Sequence, residues 1–141
     1  MGKVWVDAEV INQLDEGNAR DGRLAADKVR KVLVKALVDT GATLFALPEE
    51  TIKALGLQLQ RTVRTRYADG KLHKRSVWGP VKLRVLKREM IIEVLAAPPG
   101  VPALIGQIPL EGLDLLVDAR NQCLVPSPGN PHPEMAIMDL L

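Results

Sequence analysis

The chain has little cysteine, few aromatic residues and few histidines, and each shortage limits what it can be. Its single cysteine, Cys123, excludes an intrachain disulfide framework and a cysteine-based metal site. Aromatic residues make up only 3% of the chain, so the core must consist mainly of Val, Leu, Ile and Ala. His73 and His132 lie far apart with no ligand spacing around either, so we expect no metal site and no cofactor.

Long apolar runs and a strong net charge are also missing. No segment approaches the ~20 apolar residues that a membrane helix needs, so we expect no membrane partner. Residues 1–7 lack the long apolar core of a signal peptide, and a single cysteine is compatible with a reducing compartment, so we expect a cytoplasmic protein. The formal net charge is +2, which gives no general argument for nucleic acid as a partner.

The length and composition suit one folded domain followed by a short tail. The chain has 141 residues, of which 47% are hydrophobic, enough for a real core. After Val125 the composition changes, because prolines at 126, 128, 131 and 133 surround a glycine. We therefore predict a folded domain over residues 1–125 and a Pro-rich tail over 126–141 that is either docked or mobile.

Short segments with strand character predict a mostly β domain. Apolar and polar residues alternate over 4–10 and over 81–86, and β-branched residues are frequent towards the end of 29–38. Asp69-Gly70 between two extended segments is a strong signal for a β-hairpin. Gly79-Pro80 is interpreted as a break after the second of these segments.

The sequence leaves room for one or two short helices. Pro48 followed by two glutamates is typical of a helix start, and Gly56 is placed to end that helix with a left-handed residue. Residues 109–115 could form one or two helical turns. The polar segment 12–26 contains two glycines and is interpreted as a loop.

The segment Asp39-Thr40-Gly41-Ala42 has the most specific chemistry. It directly follows an apolar run over 32–38, so a strand would present one carboxylate on a tight turn. No second Asp-Thr-Gly or Asp-Ser-Gly occurs in the chain. Asp is also an ordinary turn former at strand ends, which alone would account for Asp39 and Gly41.

Three features in a fixed order resemble the retropepsin-like aspartic proteases of the single-domain, dimeric type. The first is the Asp39 turn, the second is the hairpin tipped by Ala68-Asp69-Gly70, and the third is Ala103-Leu104-Ile105-Gly106 before a short helix. Together they span about 29–125. The resemblance implies a closed, orthogonal β-barrel with a flap hairpin, and an aspartic endopeptidase that acts on peptide bonds as a homodimer.

The resemblance also implies roles for individual residues. Asp39 would be catalytic, and two Asp39 carboxylates from two chains would share a proton and activate a water molecule, as aspartic proteases do. Thr40, Gly41 and Ala42 would support this site, and Ile105 and Gly106 would form the structural segment behind the catalytic turn. The flap residues that cover substrate would be Tyr67, Ala68, Asp69 and Gly70.

The flap differs from the viral pattern, because viral flap tips tend to be rich in glycine and this one has a single glycine, Gly70. A stiffer hairpin would open less freely or in another way. Tyr67 could cover the substrate or hydrogen-bond to the rim of the site. It could equally be a strand tyrosine that packs on its neighbour.

Basic residues crowd the hairpin region, and Asp69 is one of the few acids near them. As a group they would form a solvated surface, select acidic substrate peptides or contact nucleic acid; they are Arg61, Arg64, Arg66, Lys71, Lys74, Arg75, Lys82, Arg84, Lys87 and Arg88. Two alternatives to the protease stay open. One is a catalytically silent peptide-binding module on the same fold, and the other is a basic domain whose nucleic-acid binding falls steeply with salt.

Overall fold

The computed structural model describes residues 3–140, so Met1 and Gly2 of the predicted domain and Leu141 of the predicted tail lie outside it. Within those residues the chain forms mostly strands, with a few short helices between them. The strands are β1 (Val4–Asn12), β2 (Lys31–Val38), β3 (Phe45–Leu47), β4 (Gln58–Arg66), β5 (Leu72–Val85), β6 (Arg88–Ala96), β7 (Leu104–Ile105), β8 (Leu115–Asp118) and β9 (Cys123–Pro126). The helices are α1 (Gln13–Arg20), α2 (Glu49–Leu55) and α3 (Gln107–Leu113), with a 3-10 turn at Ala26–Lys28.

Six strands close into a barrel. They follow the order β1-β2-β7-β3-β6-β5, and β5 pairs back with β1. Strand β5 has 14 residues, so one of its edges pairs with β4 over 72–79 and with β1 over 81–84. The β4–β5 hairpin therefore extends beyond the closed ring, and the predicted mostly β barrel is confirmed.

The barrel interior is filled by aliphatic side chains, as the shortage of aromatic residues predicts. Alternate residues of each strand point inward; Val10, Leu83, Val94 and Ile105 are fully buried. Phe45 is also buried, whereas Trp5 is 41% exposed. Each fully buried side chain of this size contributes about 1.5–3 kcal/mol to folding.

The structure contains one helix more than predicted, because part of the segment interpreted as a loop forms α1. The Asn12 side chain accepts a hydrogen bond from the Asp15 amide at 3.0 Å and so caps the helix. The acids Asp15 and Glu16 follow in the first turn and Arg20 ends the last, an arrangement that suits the helix dipole. The loop prediction gave too much weight to the two glycines.

The sequence prediction is right for the helix α2 and wrong for the break at Gly79-Pro80. The prediction for α2 is confirmed, since it begins after Pro48 and Gly56 follows it at φ 62°. The predicted break at Gly79-Pro80 is wrong, because β5 continues through it. A shift in register between Trp78 and Val81 opposite β6 accommodates the irregularity.

One basic residue of the hairpin region is not on the surface. Arg88, at the start of β6, is only 1% exposed, so the interpretation as a solvated surface is wrong for this residue. Its terminal nitrogens donate to the carbonyl oxygens of Leu113 and Asp114 and to those of Asn130 and His132. Arg88 thereby joins the barrel, the end of α3 and the segment after β9.

The segment after β9 has a second anchor at Asp114. Its carboxylate accepts hydrogen bonds from Asn130 Nδ2 at 2.7 Å and from the Ile137 amide at 3.0 Å. Hydrogen bonds from the side chains of Ser127 and Asn130 and from the Ile137 amide lower the pKa of Asp114 to about 2. These contacts hold residues 127–137 against the rest of the chain, and the division at residue 125 stays a prediction.

Candidate active site

Asp39 lies on a tight turn immediately after β2. Its backbone amide donates to the Ile105 carbonyl at 3.0 Å, and its own carbonyl accepts from the Ala42 amide at 3.1 Å. The carboxylate oxygen Oδ1 accepts a hydrogen bond from the Gly41 amide at 2.9 Å. The side chain is exposed, so the turn presents an oriented carboxylate to solvent.

The segment containing Ile105 and Gly106 packs against this turn. Strand β7 runs parallel to β2, with Ile105 opposite Val38, and antiparallel to β3. The Gly106 amide donates to the Leu44 carbonyl at 3.0 Å. A Cβ atom at Gly106 would lie 2.7 Å from backbone atoms of residues 42–44, so only glycine fits without displacing the chain that follows Asp39.

An open cavity of about 640 Å³ joins the Asp39 turn to the end of the hairpin. The sequence-predicted residues that line it are Asp39, Gly41, Ala42, Tyr67 and Ala68. Its apolar wall comes from Leu104 of the third sequence feature and from residues that the sequence did not single out, among them Leu44, Ala46, Leu95, Ala97 and Val101. A mostly apolar cavity with a few polar groups is typical of a ligand-binding site.

The remaining predicted residues do not line the cavity. Thr40 is exposed beside it, and Ile105 and Gly106 lie behind the turn. Asp69 and Gly70 form the hairpin turn itself: Asp69 Oδ1 accepts from the Lys71 amide at 2.8 Å, and Gly70 has φ 81°. Asp69 and Gly70 therefore shape the hairpin tip, and the residues before it face the cavity.

Tyr67 occupies the inner side of the hairpin near its tip. Its ring stacks on His73 with centroids 4.1 Å apart and planes inclined by 29°. Its hydroxyl accepts a hydrogen bond from Arg75 Nε at 2.9 Å, and Arg75 also lines the cavity. Tyr67 thus packs on a strand neighbour and lies at the cavity wall at the same time.

Sequence reasoning did not single out Arg75, although a signal was available. Residues on one face of a hairpin alternate along each strand. Counting back from the Asp69-Gly70 turn pairs Thr65 with His73 and Val63 with Arg75, which puts both β5 side chains on one face. Because Arg75 was considered only as one of ten basic residues, its place on the same hairpin face as Tyr67 was not recognised.

The cavity lining contains more basic than acidic residues. Among residues 3–140, Asp39 is the one acid that lines it, whereas three basic residues do so: Arg64, Arg66 and Arg75. One chain therefore contributes a single carboxylate to this cavity. Chemistry that needs two carboxylates would require another source for the second.

No helix among residues 3–140 is long and apolar enough to cross a membrane. Within the same range, no three His, Cys, Asp or Glu side chains come together in a way that could hold a metal ion.

The chain is similar to several solved structures at low sequence identity, and the first of the following, with a TM-score above 0.5, shares its fold. The retroviral protease-like domain of Ddi1 from Leishmania major is 17% identical, with a TM-score of 0.52, over 91% of this chain and 90% of that one. The protease of Simian Foamy Virus (mac) is 21% identical, with a TM-score of 0.46, over 75% and 90%. A retropepsin-like aspartic protease from Rickettsia conorii is 20% identical, with a TM-score of 0.43, over 84% and 90%. The retropepsin-like barrel that the sequence predicts is confirmed.

No curated protein matches this chain in sequence. Residues 26–108 match the sequence family described as aspartyl protease. The match covers more than half of the chain and includes the Asp39 turn, the hairpin and the segment of Ile105 and Gly106. The chain belongs to the aspartyl protease family.

Proposed function

We propose that this protein is an aspartic endopeptidase whose active site forms between two copies of the chain. Family membership supports a protease in general. The observation that supports the finer proposal is the position of Asp39, an exposed carboxylate oriented by the Gly41 amide at one end of an apolar cavity. Since the described residues put one acid in that cavity, a second chain would supply the other.

In such a homodimer the two Asp39 carboxylates would lie side by side across a two-fold axis. Two carboxylates this close share one proton, because two like charges repel. The ionised carboxylate would take a proton from a water molecule, which attacks the carbonyl carbon of the peptide bond. The protonated carboxylate would donate to the carbonyl oxygen, and a proton would then pass to the leaving amine.

The surrounding residues would hold this pair in place. Carboxylates that share a proton must be positioned to within about 0.5 Å, which requires a rigid turn. The hydrogen bond that the Asp39 amide donates to the Ile105 carbonyl of β7, and the close approach of Gly106 to residues 42–44, would supply that rigidity. The Thr40 hydroxyl, exposed beside the cavity, would bond to the partner chain.

The β4–β5 hairpin would act as the flap. It extends beyond the closed barrel, and its inner residues Tyr67 and Ala68 line the same cavity as Asp39. A peptide bound between hairpin and turn would be extended, with its backbone available for hydrogen bonds to the hairpin edge. Opening of the hairpin would admit substrate, and closure would exclude bulk solvent while retaining the one water molecule that attacks.

The test compares the wild type with Asp39→Asn on an unbiased peptide library at mildly acidic and neutral pH. Asn has the shape of Asp but cannot exchange a proton, so cleavage is expected to disappear while folding is retained. Asp27→Asn is the matched control, because Asp27 is an exposed carboxylate in the 3-10 turn and does not line the cavity. Cleavage that survives in Asp39→Asn, or a wild-type dimer that binds peptides without cleaving them, would contradict the proposal.

A further inference from the structure

Arg75 is one of three basic residues of the hairpin region that are buried or half-buried. The other two have acidic partners, because Lys82 pairs with Glu16 and Arg88 lies 3.7 Å from the Asp114 carboxylate. Among residues 3–140, no carboxylate forms an ion pair with Arg75, although its side chain is half-buried in the cavity wall. A half-buried positive charge without an acidic partner is an unusual arrangement, because desolvation of the charge is then uncompensated.

The guanidinium of Arg75 is nevertheless fixed in position. Nε donates to the Tyr67 hydroxyl at 2.9 Å, and the guanidinium carbon lies 5.9 Å from the centre of the same ring. Tyr67 is itself fixed by stacking on His73. These contacts use one nitrogen and leave the two terminal nitrogens of Arg75 available.

Two terminal guanidinium nitrogens match the two oxygens of a carboxylate. A bidentate pair of this kind is stronger and more selective in direction than a single neutral hydrogen bond. The apolar walls of the cavity lower the local dielectric constant and strengthen such a pair further. Arg64 and Arg66 are exposed on the adjacent strand of the hairpin, and their charges add positive potential around the cavity, which favours an anionic group there.

We propose that Arg75 selects peptides that carry an Asp or Glu side chain in this cavity. This inference depends on the proposed function, since it names the substrate class of the same site. In a symmetric dimer each chain would contribute one Arg75, so acidic side chains would be favoured at positions on both sides of the cleaved bond.

The test uses two matched peptide libraries, one with Asp and Glu and one with Asn and Gln at the same positions. For the wild type, kcat/KM is expected to be roughly 10- to 100-fold higher for the acidic peptides, which is the range of one hydrogen-bonded ion pair. In Arg75→Gln the ratio is expected to fall to about 1. Arg75→Lys is expected to keep part of the preference for acidic peptides, because lysine retains the charge but lacks the two terminal guanidinium nitrogens.

Lys74→Gln is the matched control. Lys74 is the neighbour of Arg75 on β5, so it points to the opposite face of the hairpin, and it is exposed and does not line the cavity. The control removes the same charge from the same hairpin and is expected to keep the wild-type ratio. A ratio that falls equally in both variants would overturn the role of Arg75 in favour of a general effect of net charge.

Binding of fluorescent peptides to Asp39→Asn separates this inference from the proposed function. Preferential binding of acidic peptides that is lost when Arg75→Gln is added supports the inference, even if the wild type cleaves nothing and the protease proposal fails. Cleavage by the wild type with an equal ratio in Arg75→Gln overturns the inference and leaves the protease intact. If Asp39→Asn binds the acidic and the neutral libraries equally and the wild type cleaves neither, both this inference and the proposed function are overturned.

Discussion

Replacing Arg88 by Met is expected to destabilise the protein more than any other single change to its basic residues. Arg88 is only 1% exposed, and its terminal nitrogens donate to four backbone carbonyls. Two of these contacts, to Leu113 and Asn130, are buried. Met retains much of the length of the arginine stem but donates no hydrogen bond, so the four carbonyls lose this donor, although the Asp114 carbonyl keeps the amide and hydroxyl of Ser127.

The expected loss follows from two opposing effects. Each of the two buried carbonyls left without a donor costs about 1–3 kcal/mol, whereas the carbonyls of Asp114 and His132 are less buried and can bond to water. The buried guanidinium itself has a desolvation penalty, and its Nε has no partner, so its removal offsets part of this cost. We expect a net loss of about 2–4 kcal/mol in the free energy of unfolding.

The assay is denaturant unfolding followed by circular dichroism, with all proteins at one concentration so that any self-association contributes equally. Arg84→Met is the control, because Arg84 pairs with Glu89 at the surface and such pairs contribute about 0–1 kcal/mol. Limited proteolysis should also cut Arg88→Met, but not the control, within residues 127–137. A loss below about 1 kcal/mol in Arg88→Met, equal to that of the control, would refute the proposal that Arg88 holds the segment after β9 against the barrel.

Two further predictions concern the support of the catalytic turn and the anchoring of the C-terminal segment. Gly106→Ala should reduce the free energy of unfolding by about 1–3 kcal/mol and reduce peptide cleavage, because its methyl group would displace residues 42–44. Gly129→Ala, with no atom within 4 Å of the added group, should leave both unchanged, and equal effects of the two would contradict the close-approach explanation. Asp114 has a folded pKa of about 2 against an ordinary 3.8, so its contribution to stability is present above about pH 4 and is lost as pH falls towards 2. The Ile137 amide resonance should move with this titration in NMR spectra. If its chemical shift still changes over the same pH range in Asp114→Asn, Asp114 is not the titrating group.

The parts of the site that the sequence predicted are those determined by short segments. An apolar run before Asp39-Thr40-Gly41 and an Asp-Gly hairpin turn require only local chemistry, whereas the glycine after Ile105 was noticed through the family resemblance and is required by residues 42–44. Their order along the chain, together with the family's known fold, was enough to predict the barrel. The catalytic and flap roles, the homodimer and the cytoplasmic location stay predictions.

The parts that the sequence missed depend on residues that are distant along the chain. Arg88 is buried because carbonyls at residues 113 and 130 surround it, and nothing near Arg88 indicates this. Arg75 faces the cavity because of the hairpin register, which a list of basic residues does not reveal. Helix α1 is the exception, because its Asn12 cap is a local signal that the two glycines outweighed.

The most direct test of a site shared between two chains is a mixing experiment. Wild type and Asp39→Asn are refolded together in equal amounts, and cleavage is measured at fixed total protein concentration. If both Asp39 carboxylates are needed, only wild-type pairs are active, so the rate should fall to about one quarter of the wild-type rate. Refolding with Asp27→Asn instead should leave the rate unchanged. A rate of about one half with Asp39→Asn would show that each chain acts alone and would contradict the shared site.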